Sequence, residues 1–393
     1  MVFALHPKAR VFGPQDAGQA MDFAPNLPDR PGPVVLLAAL AGQGAGFRIG
    51  SQGAVEAGPG QFETLTGGSL GAPRHILREQ ASWQASFALN ARLFQIGPGR
   101  GVAVLGRLSH SLALYGAMEG AVLGADVHIL DGLRPDRQWQ QIIARRVSVL
   151  YATPAQLRLC LEGGAPSPDL RHVLVGGAKL DTDLRASLGA SAPGAAVHEF
   201  YGAAETSFLT LAQAGDDPDS VGRPYPGVSL QIRVNGKPVA DGETGEVWAQ
   251  SPYLFVGYAG GDPGGAIWHD GWLSVGEQGY FKDGCLYLRG RTGRMVTVAD
   301  KNVFPEEIEA FLLTLPGVVR AAVLPRADAL RGAHLVAFLA GDPSRGDDVQ
   351  RLARDRLGPL IAPRTCVWRT DWPLLPSGKT DFATLLREVA EWP

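Results

Sequence analysis

Hydrophobic positions change their period along this chain. Residues 34–40, VVLLAAL, form a short apolar run between glycines and predict a buried strand. From about residue 78 to 190 two periods alternate. ILREQASWQASFALNARL, SLALYGAMEGAVLG, RPDRQWQQIIARR, PAQLRLCLE and DTDLRASL carry apolar residues at helical spacing. GVAVLG, VHIL, VSVLYA and RHVLVGG between them read as short buried strands. Strands separated by helices predict right-handed crossovers and a largely parallel sheet.

After residue 220 the texture turns to short strands and tight turns, as in SLQIRVNGKPVADGETGEVWAQ, where NGKP predicts a hairpin. A last region, from about residue 295, holds EEIEAFLLTL (helix), VVRAAVLP and HLVAFLAG (paired strands), DDVQRLARDRL (helix) and TCVWR (strand). The stretch LRGRTGRM (288–295) is rich in Gly and Arg and marks the expected domain boundary. The fold class is therefore α/β. A large N-terminal domain (1–293) combines mostly parallel sheets and helices with a β-rich subdomain. A small α+β domain (294–393) follows.

Composition narrows the function classes. The chain has 393 residues, 45% hydrophobic and 19% charged, enough for two or three domains with real cores. A net charge of -3 and the lack of a basic stripe argue against a nucleic-acid partner. Cys160, Cys285 and Cys366 are far apart, with no zinc spacing and no even framework for disulfides. The most apolar long window, Ser111–Leu130, contains Glu119 and Asp126, so no membrane span is expected. The opening MVFALHPKARVFG lacks a signal-peptide core, and a cytoplasmic location is expected.

Two glycine-rich stretches invite a nucleotide reading. GQGAG (42–46) has the wrong spacing for GxGxxG and no helical pattern after it, so it reads as a turn. TLTGGSLGAPR (64–74) has the make-up of a phosphate loop, with glycines for close backbone approach and hydroxyls as donors. It is not a Walker loop, because it lacks the GK pair. SGKT does occur at 377–380, but Pro373 stands where that motif needs glycine.

TLTGGSLGAPR resembles the phosphate loop of the adenylate-forming enzymes: acyl-CoA synthetases, adenylation domains and luciferases. HEFYGAAETS (198–207), VGRPYPGVSLQI (221–232), GETGEVWAQSPYLFVGY (242–258), GWLSVGEQGYF (271–281), LRGRTGRMVTVADKNVFPEEIEAFL (288–312) and WPLLPSGKTD (372–381) resemble further motifs of that family, in its order. The resemblance spans about 60–385, with a shorter stretch before the loop than typical members have.

What the resemblance implies is specific. ATP's β- and γ-phosphates would lie on Thr66, Gly67, Gly68, Ser69, Gly71 and Arg74. Gly177, Ala178, Tyr201, Glu277 and Arg291 would hold adenine and ribose, and Glu205 a magnesium ion. His110 and Gly202 would shape the acyl pocket. Lys379 would reach the reacting carboxylate and α-phosphate, making Lys379, Glu205 and Thr66 the catalytic set. Arg294 falls at the hinge, and Ala299, Asp300 and Lys301 at the channel for a pantetheine arm. The two motifs within 221–258 read as mainly structural.

Four positions depart from the family pattern. Leu70 replaces threonine, Arg74 lysine, Glu277 aspartate, and Asp300 a glycine. The implied activity is ATP-dependent activation of a carboxylic acid to an acyl-adenylate, then transfer to a thiol, first of all coenzyme A. A stand-alone enzyme that loads the phosphopantetheine of an acyl carrier protein is an alternative. A degenerate, non-catalytic nucleotide-binding protein is another.

Overall fold

The computed structural model describes residues 1–14, 20–50, 53–66, 74–162, 164–261, 264–298, 301–328, 332–375 and 379–392. An eight-stranded sheet organises the first half of the chain. Its order is Arg10–Phe12, Asp126–Ile129, Gly101–Val104, Val149–Ala152, His172–Val175, Ala196–Tyr201, Thr210–Leu211 and Arg223–Pro224. The first six strands run parallel, and the last two short ones are antiparallel. The alternating periods between residues 100 and 190 are thus a crossover sheet.

The run VVLLAAL is a helix and not a strand. It lies within α1 (Gly32–Ala41), where Pro33 sits in the first turn and seven residues are buried. An apolar run buried on nearly every side shows no period, so its pattern could not separate the two forms. ILRE also differs from its helical prediction. His75–Glu79 is a strand paired with Gln61–Leu65, and α2 (Gln80–Leu93) begins after it. The GQGAG turn has Gln43 and Gly44 at positive φ.

Helices α3 (Ser111–Leu123), α4 (Pro135–Ala144), α5 (Pro154–Cys160) and α6 (Thr182–Ser191) cover the sheet. The β-rich part carries a seven-stranded sheet that includes Ser229–Val234, Gly245–Gln250, Glu277–Lys282 and Cys285–Arg291. Its NGKP turn has Asn235 and Gly236 at φ 50° and 76°, the two positive angles that a tight hairpin turn needs. The C-terminal α+β unit packs Val318–Asp328, Gly332–Gly341 and Thr365–Trp368 with α7 (Pro305–Leu313), α8 (Gly346–Leu357) and α9 (Phe382–Glu391).

Arg294, the expected hinge residue, is anchored in that C-terminal unit. Its guanidinium donates to both carboxylate oxygens of Glu309, at 2.6 and 3.1 Å, and to the Val323 carbonyl at 3.0 Å. It also stacks over the Phe382 ring, 4.1 Å from the centroid.

The large core contains a buried acid. Glu119 on α3 is fully buried, and Asn90, Tyr115 and Tyr151 all donate to its carboxylate. Burial pushes its pKa from 4.5 up to about 8, although those hydrogen bonds oppose the rise. The folded state therefore keeps a proton that the unfolded chain releases above pH 4.5. This contribution favours folding at low pH and is lost progressively between about 4.5 and 8. In Glu119→Gln the loss is absent. The stability of that variant relative to wild type should rise from pH 5 to 8, by at most about 1.4 kcal/mol per pH unit. Urea unfolding at three pH values measures the slope, and parallel profiles would rule out a shifted Glu119.

Candidate active site

A cleft of about 1590 Å³ opens at the carboxyl ends of the parallel strands, where α/β sheets place their ligands. Segments directly following four of these strands supply part of its wall: Leu105–Gly106, Thr153, Gly176–Lys179 and Gly202. Gly202 has a steric reason to be glycine. A Cβ there would lie 1.7 Å from the Ser207 carbonyl oxygen, because residues 202–207 fold back on themselves.

The phosphate-loop sequence enters from a strand and is closed at its base. The Thr66 amide donates to the Arg74 carbonyl at 2.9 Å, and the Arg74 amide donates to Thr66 Oγ1 at 3.1 Å. Thr66 and Arg74 line the cleft. Gly67, Gly68, Ser69, Leu70 and Gly71 lie outside the described residues. The Arg74 guanidinium lies over the Tyr258 ring, 5.4 Å from its centroid, and the Tyr258 hydroxyl donates to Glu205 at 2.9 Å. A planar guanidinium can stack on an aromatic face in a way a lysine ammonium does not match. Arginine at position 74 thus has a structural counterpart.

Tyr201 and Glu277 form the next part of the wall. Glu277, 6% exposed, accepts from Arg291 Nε at 2.8 Å across paired strands. Burial raises its pKa, and Arg291 opposes the rise. The Tyr201 hydroxyl is buried with no hydrogen-bond partner among the described residues. Its pKa is raised by burial first, with Glu277 adding to the shift. A buried donor left unpaired costs free energy unless a ligand takes it.

Lys379 reaches this wall from the C-terminal unit. It follows Leu374, which bridges to Thr380, and precedes α9. The side chain keeps exposed surface in the cleft yet is crowded by protein. That crowding lowers its pKa first, and Arg291 adds to the fall, while Glu205 and Glu277 oppose it. His110 stands immediately before α3, and burial keeps its pKa below the usual value.

Eleven of the expected site residues therefore meet in one cleft: Thr66, Arg74, His110, Gly177, Ala178, Tyr201, Gly202, Glu205, Glu277, Arg291 and Lys379. Lys301 is exposed at the start of strand Lys301–Val303 and is not among the lining residues. Ala299 and Asp300 lie outside the described residues.

A profile of AMP-binding enzymes matches residues 63–259, and one of the AMP-binding enzyme C-terminal domain matches residues 307–379. The chain belongs to the AMP-binding enzyme family. It is 32% identical to the uncharacterized acyl–CoA ligase YhfT of Bacillus subtilis, over 80% of this chain and 66% of that protein. It is 27% identical to a 3-hydroxybenzoate–CoA ligase of Aromatoleum, over 81% of this chain and 64% of that protein. The structure of the amide bond synthetase McbA from Marinactinospora thermotolerans aligns with TM-score 0.78 at 22% identity, covering 98% of this chain and 90% of that one. The chain spans about two thirds of the length of the curated relatives it matches.

Two supports of the site in this AMP-binding enzyme went unread in the sequence. Tyr258 ends the stretch read as mainly structural, and it is the residue that holds Glu205 and underlies Arg74. Arg78 is the other. It is wholly buried and donates to the Ala204 carbonyl, the Tyr253 carbonyl and, at 2.7 Å, Ser207 Oγ. These contacts bracket Glu205 on both sides. Burial pushes the Arg78 pKa down to about 9, which leaves it charged at neutral pH. A cation four residues past a phosphate loop, in a strand with buried alternate positions, was the available signal.

Arg78→Met should cost about 3 kcal/mol, because it leaves two buried carbonyls without donors. Arg78→Lys should recover only part, since an ammonium cannot span all three acceptors as a planar fork does. Urea unfolding measures both, and a loss below about 1 kcal/mol in Arg78→Met would refute the clamp.

Proposed function

We propose that this protein activates a carboxylic acid with ATP and then transfers the acyl group to a thiol, first of all coenzyme A. The observation that carries this reading is the meeting of Lys379, from the C-terminal unit, with Tyr201, Glu205, Glu277 and Arg291 in one cleft. In the first step a carboxylate oxygen attacks the α-phosphorus of ATP. The bond to the β-phosphate breaks, and pyrophosphate leaves. In the second step a thiolate attacks the acyl carbon and AMP leaves.

The chemistry demands charge neutralisation, because a carboxylate must approach a phosphate. Lys379 supplies a cation at the reacting centre, Arg291 one beside the ribose, and Arg74 one at the phosphate loop. Tyr201 offers an unpaired hydroxyl to the nucleoside. Among the described residues no group of three or more His, Cys, Asp or Glu gathers to hold a metal. A magnesium ion fits here as one carried on ATP's phosphates with Glu205 as a protein ligand, where it would offset phosphate charge.

The division into 1–293 and 294–393, with rotation about Arg294, belongs to this proposal. Arg294 is tied to Glu309, Val323 and Phe382 on the C-terminal side, so it would travel with that unit and carry Lys379 away after adenylation. The likeness to a 32% identical protein named an acyl–CoA ligase supports coenzyme A as acceptor. The phosphopantetheine of an acyl carrier protein is the second acceptor to test.

Exchange of labelled pyrophosphate into ATP, dependent on an added carboxylic acid, is the expected activity. Lys379→Ala should lower it by roughly 100-fold with a small change in the ATP KM. ATP binding without exchange for any acid across a broad panel would leave only the non-catalytic reading. Given exchange, coenzyme A and a carrier protein compete as acceptors, and product analysis decides between them. Arg74→Lys should raise the ATP KM several-fold through loss of stacking on Tyr258, and an unchanged KM would show that contact to be idle.

A further inference from the structure

A second groove, of about 660 Å³, lies at the opposite edge of the eight-stranded sheet and shares no lining residue with the cleft. It opens at the amino ends of the parallel strands. Arg10, Gly101 and Asp126 begin three of them, and Ser148 and Arg171 immediately precede two more. Arg10, Arg100, Arg145, Arg146 and Arg171 line the groove, with Asp126 and Asp169 as the acids among them. His128 lines it too and is neutral at pH 7, because burial first and Arg145 next bring its pKa down to about 4. The described lining residues thus carry an excess of three positive charges.

Both acids already have partners. Asp126 accepts from Arg10, and Asp169 accepts from Arg146 at 3.1 and 3.2 Å. The other three guanidiniums bond to no carboxylate among the described residues. Arg100 donates to the Gln95 side-chain oxygen at 3.3 Å. Arg171 donates to the Pro168 and Leu170 carbonyls at 2.6 and 3.2 Å, and Arg145 to the Gly13 carbonyl at 2.8 Å.

Two side chains here also hold buried polar atoms with no hydrogen-bond partner among the described residues, Arg145 Nη1 and His128 Nδ1. His128 is only 5% exposed, and the Phe12 ring stacks on it with centroids 5.0 Å apart. Gly101 borders its other ring nitrogen, since a Cβ there would lie 3.4 Å from Nε2. Unpaired buried nitrogens cost free energy that ligand oxygens would recover. Cations favour the carboxyl end of a helix, and α4 ends at Ala144, just before Arg145. Helix capping does not account for the Arg145 guanidinium, which turns to Gly13 and not to the carbonyls of α4.

We infer that this groove binds a diphosphate group, free or borne by a nucleoside, with Arg145 and His128 holding its oxygens from within and Arg100 and Arg171 from the exposed rim. The planar guanidinium fork matches phosphate oxygens in pairs. A single phosphate brings about two negative charges at neutral pH and leaves the excess unmatched, whereas two joined phosphates match it. The volume lies within the range of about 300–1,000 Å³ of small-ligand sites, more than one phosphate fills. This site goes beyond the acid-activation reading and does not depend on it.

The His128 imidazole reports on the groove directly. Its signal in carbon–proton spectra of the labelled protein is assigned with His128→Gln. Inorganic pyrophosphate, without magnesium, should shift that signal saturably, with a midpoint below about 1 mM. Orthophosphate should need roughly 10-fold more. Arg145→Met should raise the pyrophosphate midpoint by roughly 10-fold or more. Arg74→Met, which alters the cleft, should leave the midpoint unchanged. If Arg145→Met does not fold, Arg171→Gln at the exposed rim carries the same comparison. ADP is the second arm. A matching shift with ADP supports a nucleoside diphosphate as the occupant, and a shift with pyrophosphate alone supports the free anion. No shift at about 10 mM pyrophosphate would overturn the site. Equal midpoints for orthophosphate and pyrophosphate would overturn the diphosphate assignment, and a midpoint that follows Arg74 and not Arg145 would return the binding to the cleft. None of these readings requires turnover, so the groove stands or falls apart from the proposed reaction.

Discussion

Charge balance in one cleft is the constraint on which the rest of this molecule depends. Glu205 and Glu277 face a space that also holds Arg74, Arg291 and Lys379. Two carboxylates so placed repel each other unless cations or a ligand separate them. Arg291 meets Glu277 across a strand pair, and Arg74 approaches Glu205 through the Tyr258 ring and hydroxyl. Lys379 completes the set from a different unit of the chain. Sheet, β-rich part and C-terminal unit each supply charges that the others need.

Hydrogen bonds behind the wall keep those charges in place. Arg78 fixes the backbone on both sides of Glu205, and Thr206 Oγ1 accepts from the Ala203 amide at 2.9 Å. The paired bonds between Thr66 and Arg74 close the loop that would hold phosphates. On the acyl side, Glu119 gathers Asn90, Tyr115 and Tyr151. The polar network and the cleft wall are one structure, since Tyr115 and Tyr151 belong to both. A buried acid at this point gives up some stability at high pH and holds two rings in register.

Where the sequence was hard to read, the physical reason is specific. VVLLAAL gave no period because nearly every side of α1 is covered. ILRE merged with the helix after it because its apolar residues also fit a helical spacing, and only pairing with Gln61–Leu65 makes it a strand. Arg78 drew no reading, since nothing local shows that Ala204, Ser207 and Tyr253 converge on it from over a hundred residues away. Tyr258 was overlooked for the same reason. Its partner Glu205 is a neighbour only in space.

By itself the sequence determined the family-like motif order, the alternating strands and helices, and the candidate residues at the mouth of the cleft. These are local facts: a glycine-rich loop, a strand's period, a lysine before a helix. Tertiary structure alone decided that the Tyr201 hydroxyl is buried and unpaired and that Arg291 meets Glu277. It alone decided that Arg294 is bound into the C-terminal unit, and that the Tyr151 ring rests on Gly116. Each of these depends on the separation of residues far apart in the chain, and burial and Coulomb energy are functions of that separation and not of sequence position.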